Sequence, residues 1–157
     1  MSLARWVRRR LDGGTNAERG SAVVEFLGIS LLLLVPLVYL IVTLGRIQAA
    51  SFAAEGSARE AGRLIAQAQT MEEGLAYASI AVQLAFADQG FTVDGEDALH
   101  VTCQADPCLT PGAFVHITVD TGVALPGAPA FMRPVLPVEV AISADAMTAV
   151  GDFREAP

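Results

Sequence analysis

The chain has 157 residues, seventeen of them Asp or Glu and ten of them Arg, with no Lys, for a formal net charge of −7. That length leaves room for one small domain beside a membrane segment. The charge is split: residues 1–20 hold Arg5, Arg8, Arg9, Arg10 and Arg19 against Asp12 and Glu18, a net of +3, while residues 47–157 hold four Arg against fourteen acids, a net of −10. Basic residues flanking a membrane helix stay in the cytoplasm, so this asymmetry puts the N-terminus inside and the acidic remainder outside. It also makes Arg8-Arg9-Arg10 a topology signal rather than a nucleic-acid site, and no nucleic-acid partner is expected.

Residues 1–20 have no apolar periodicity and read as a basic cytoplasmic leader. The run from Gly20 to Arg46 has a single internal charge, Glu25, and Phe26–Gly45 is twenty residues without one. As a helix Ala22–Leu44 would reach roughly 35 Å, and a bilayer core takes about 20 apolar residues, so residues 21–46 can span a membrane alone and contact its lipid. A carboxylate in such a helix costs ~2.5–3.5 kcal/mol at mid-bilayer and less near an interface. A plain anchor gains nothing from it. A secretory signal peptide is the competing reading: its apolar core should be only about 7–15 residues, but Ala49-Ala50-Ser51 imitates a cleavage site, and a cut there would release a soluble domain. The arginine run lacks the flanking pattern of a twin-arginine signal.

The helix is expected to continue past Arg46 to about Gln69, supported by Glu55/Arg59 at i,i+4 and Glu60/Arg63 at i,i+3. Gly56 and Gly62 weaken it by about 1 kcal/mol each and leave room for a second helix to approach. Thr70 and Glu73 form a capping box that opens a second helix over Met71–Asp88, ended by Gln89-Gly90. Beyond it, Leu99–Cys103, Phe114–Val119 and Val138–Ala144 alternate as half-buried strands, the last with room to extend to Met147. Leu125–Pro137, with four prolines, reads as an irregular loop. The expected fold is α+β: a long N-terminal transmembrane helix, a second helix, then a small antiparallel sheet, with residues 71–157 as an extracytoplasmic domain.

Cys103 and Cys108 flank a turn-forming Asp106-Pro107 and lie outside by this topology, where an oxidising compartment favours a disulfide. A metal site is the alternative, with His100 and His116 the only nearby imidazoles. Neither histidine makes a triad spacing with Ser57 or Ser79. Asp94-Gly95-Glu96-Asp97 is too short for an EF-hand loop and leaves only weak cation binding open. No phosphate-binding glycine loop is present, so no enzyme activity, cofactor or metal is expected.

Gly20-Ser21-Ala22-Val23-Val24-Glu25-Phe26 resembles the processing site of type IV prepilins, especially the tight-adherence (Tad/Flp) class: a basic leader, a Gly, then Glu at the fifth mature position followed by Phe or Tyr. The resemblance implies that a membrane-embedded prepilin peptidase cuts between Gly20 and Ser21, making Ser21 the mature N-terminus. Glu25 would then neutralise the new amine of a neighbouring subunit and set the subunit stagger, with Phe26 at the interface. The leader, the Leu-rich helix containing Pro36, Ser57–Arg63, the two-cysteine hairpin and Asp152-Phe153-Arg154 together resemble the TadE-like family, pilin-like bitopic proteins regarded as minor pilins or pseudopilins. Major Flp pilins are little more than the helix, so residues 47–157 favour the minor role. The resemblance implies a single-pass protein of the inner membrane that enters the pilus or stays at its base. Its expected partners are other pilin-like subunits, the prepilin peptidase and the inner-membrane assembly platform. An unprocessed single-pass scaffold of an envelope or secretion complex is the alternative.

Overall fold

A computed structural model describes residues 14–124 and 139–153, with side-chain environments from Ala22 onward. Arg8–Arg10, the four-proline segment Leu125–Pro137, Val138 and Arg154 lie outside the described residues. The fold is α+β. Helix α1 spans Gly14–Gln67, α2 Met71–Asp88 and the short α3 Gly95–Ala98; the strands are β1 Leu99–Cys103, β2 Phe114–Ala124 and β3 Glu139–Ala149. The sheet is antiparallel in the order β1-β2-β3. Two compact units divide the chain, Met1–Val42 and Thr43–Pro157.

In the first unit the described backbone is helical, starting at Gly14 inside the basic leader rather than at residue 21. Ala17, Glu18 and Arg19 favour helix, and extending an existing helix costs far less than nucleating one. The helix runs through Pro36 without a break. From Ala22 to Val42 every side chain is exposed except half-buried Ser30. A helix apolar on all sides with nothing packed on it needs lipid or apolar partners around it. Among the described residues one helix is long and apolar enough to cross a membrane, and it lies near the N-terminus.

In the second unit α1 gains a sidedness. Ala50, Ala53, Ala54, Ser57, Ala58, Ala61 and Ile65 are buried, at the three- and four-residue spacing of one helical face. The sheet answers with Val115, Ile117, Val119, Val123, Ile142 and Ala144, every second residue of β2 and β3. The Ala-rich stripe lets the two layers come close. At Gly62 an added Cβ would stand 3.0 Å from Ile117 Cδ1 and 3.3 Å from Thr148 Cβ. The element approaching Gly62 is therefore the sheet and not a second helix; nothing lies within 4 Å of the same position at Gly56.

Helix α2 is capped as its sequence predicts. The Glu73 N–H donates to Thr70 Oγ1 at 3.2 Å, and Glu73 Oε2 accepts from the Gln69 N–H at 3.1 Å, one residue before the cap. Gly74, Ala78, Val82 and Phe86 recur every fourth residue on its buried face. Gly90, with φ +75°, turns the chain out of the helix. Phe91 then folds back, its ring edge-on to Phe86 with centroids 6.4 Å apart.

Strand β2 runs beyond its expected end at Val119 because β3 holds it: Thr121 pairs with Ile142, Gly122 with Ala141 and Ala124 with Glu139. Helix α3 is not expected from the sequence pattern. Asp94 accepts from the N–H groups of Glu96 and Asp97 at 2.9 and 3.4 Å, so this residue caps a helix rather than opening a cation loop.

Candidate functional site

The Gly20–Ser21 peptide lies within the helical backbone of α1. A peptidase needs its scissile bond extended, so cleavage there requires local unwinding. Gly20 lowers the cost by about 1 kcal/mol relative to Ala. Glu25 and Phe26 are both exposed, Phe26 at 68 %. Glu25 is the single charge from Ala22 to Gly45, presented on an apolar cylinder and open to any partner at its side.

Cys103 and Cys108 form a disulfide with Cα atoms 5.1 Å apart. With both sulfurs in that bond, neither is a thiolate metal ligand. The bridge closes the β1–β2 connection around a cis Asp106–Pro107 peptide. Thr110 Oγ1 donates to the Pro107 carbonyl at 2.6 Å, and the Phe114 N–H donates to Gln104 Oε1 at 2.9 Å.

The two histidines lie on the solvent face of the sheet, each beside an aspartate from a neighbouring strand or register position. His100 Nε2 is 3.1 Å from Asp120 Oδ2, and His116 Nε2 is 3.3 Å from Asp145 Oδ1, which also accepts from Thr118 Oγ1 at 2.7 Å. Strand parity would have placed these groups on one face, had β2 and β3 been given their full length. Among the described residues no three His, Cys, Asp or Glu side chains are grouped for metal binding. Ser57 and Ser79 donate to the carbonyls of Ala54 and Ala76 within their own helices.

The charged ladder on α1 forms as its spacing predicts. Arg59 lies 3.6 Å from Glu55, and Arg63 pairs with Glu60 while donating to Gln67 Oε1 at 2.9 Å. The Arg63 hydrogen bond holds the Glu60 carboxyl below its usual pKa. All four side chains are largely exposed, so their worth to stability is small. A further arginine was not singled out from sequence. Arg46 lies over the ring of Phe91, its guanidinium carbon 4.7 Å from the centroid.

Exposed apolar side chains also remain on the second unit. Tyr77, Ile80 and Leu84 on α2 are 53, 60 and 59 % exposed, and their spacing of three and four puts them on one face. Comparison with family models, with curated proteins and with solved structures gave no match.

Proposed function

We propose that this protein is a TadE-like minor pilin or pseudopilin that takes part in assembling a tight-adherence (Flp, type IVb) pilus. In this reading it sits in the inner membrane with its N-terminus inside, and a prepilin peptidase cuts between Gly20 and Ser21. The observation that carries it is Glu25, an exposed carboxylate on an apolar helix five residues after Gly20.

The magnitudes support a paired role for that carboxylate. Burying it in lipid costs up to ~3.5 kcal/mol. An amine about 4 Å away, at an effective dielectric near 20, returns about 4 kcal/mol. Cleavage creates such an amine on Ser21 of each subunit, so a neighbouring copy or another pilin can offset the cost. Glu25 thus favours the helix among other pilin helices over the helix alone in lipid. The Tyr77, Ile80 and Leu84 face on α2 supports a second contact through which the outer unit selects partners.

The test is the mature N-terminus, read by intact mass of the membrane-extracted protein from its native host. A chain beginning at Ser21 is expected. Retention of residues 1–20 would refute processing and leave the single-pass scaffold; a start near Ser51 would mean a released domain. Glu25→Leu is expected to leave membrane insertion intact while abolishing co-purification with pilin subunits.

A further inference from the structure

Arg46 directly follows the uncharged run Phe26–Gly45. It is held in place from beneath. Its guanidinium lies over Phe91, which is 8 % exposed and fixed in turn against fully buried Phe86. Arg59 and Arg63 both have carboxylate partners, whereas no carboxylate lies within ion-pairing distance of Arg46 among the described residues. Its Nε is buried and has no hydrogen-bond partner among them.

Beside this guanidinium is a depression of about 240 Å³, whose walls include Gly90, Phe91, Thr92, Gly122 and Val123. Two of these residues lack side chains, which leaves backbone accessible, and exposed Thr92 brings a hydroxyl. With Nε buried, the terminal Nη–H groups are the donors that a guanidinium stacked by one face on an aromatic ring offers to an oxyanion. A bilayer around Phe26–Gly45 brings its headgroup phosphates to the level of the next residue, Arg46. We propose that Arg46, held on Phe91 and assisted by the Thr92 hydroxyl, binds the phosphate of a phospholipid headgroup. The site fastens this end of the second unit to the membrane surface.

The inference rests on the membrane span and not on the pilus reading.

The experiment uses the full chain in a non-ionic detergent, titrated with dioctanoyl phosphatidylglycerol and followed by native mass spectrometry of the lipid adduct. Dioctanoyl glycerol, which lacks the phosphate, and inorganic phosphate are the comparison probes. Arg46→Gln is expected to bind the lipid about tenfold more weakly, and Arg59→Gln, the same change of charge elsewhere, to bind like wild type. Thr92→Val, at an exposed position, is expected to weaken binding about threefold without touching the fold. Equal binding by wild type, Arg46→Gln and Thr92→Val would overturn the site. Equal binding of dioctanoyl glycerol, or displacement of the lipid from wild type by equimolar inorganic phosphate, would overturn the lipid assignment.

Discussion

Replacing Gly95 with Ala adds one methyl group at a tight joint of the second unit. Gly95 opens α3 against the backbone of α2: an added Cβ would overlap the Ser79 carbonyl oxygen and stand 2.7 Å from its carbon and 3.2 Å from Ser79 Cα. The tip of a side chain can rotate away from such a contact, but a helix backbone cannot. Ser79 is buried between fully buried Ala78 and Val82, so moving α2 disturbs the core beneath it. Overpacking of this kind costs typically 1–3 kcal/mol and more where backbone must shift, so we expect a loss of about 3 kcal/mol. Gly56→Ala is the matched control: the same methyl, mid-helix, with nothing within 4 Å, should gain up to about 1 kcal/mol from helix propensity.

The two variants therefore differ in sign. Hydrogen exchange of peptides covering β2, measured on the full chain in detergent micelles, reads the opening free energy of the core. Gly95→Ala should lower protection about a hundredfold, and Gly56→Ala should raise it about fivefold. Protection in Gly95→Ala within twofold of wild type would refute the close approach of α3 to α2.

Two further outcomes are expected. Replacing Cys103 and Cys108 together by Ser removes a short covalent loop, which in the chain-entropy view is worth about 2 kcal/mol, so β2 protection should fall roughly thirtyfold; a loss under threefold would show that the hydrogen bonds around Thr110 and Gln104 hold the turn unaided. Glu60, outside the apolar span, is held below the ordinary value of 4.5 by its hydrogen bond to Arg63. Because the folded value is the lower one, the contribution of this pair is present above the ordinary value and disappears as pH falls through the folded one. Arg63→Gln should bring the Glu60 titration back up toward 4.5, read from its side-chain carboxyl carbon shift.

Much of this chain is legible from its sequence because its determinants are local. Twenty uncharged residues in a row make a candidate membrane span by length alone. Thr70 with Glu73 sets the start of α2, and alternation places β1 residue for residue. The spacing of Glu55, Arg59, Glu60 and Arg63 yields the ion pairs that form on α1. Glu25 likewise stands out from sequence, since a charge inside an apolar run needs no fold to be conspicuous.

Other features depend on contacts between distant segments. Residues 120–124 contain Asp120 and Gly122, both poor strand formers, and they are strand because β3 supplies their hydrogen bonds. The Ala stripe on α1 is compatible with a helix or a sheet as neighbour; Ile117 and Thr148 beside Gly62 decide for the sheet. Asp94–Asp97 is a cap and not a loop because Gly95 seats α3 on Ser79. The Arg46 site joins residues 46, 91 and 122, and no periodicity relates positions so far apart. Local propensity and hydrophobic period thus determined the candidate span, α2 and β1, while burial against a partner surface decided which small residues made contact and which charges came together.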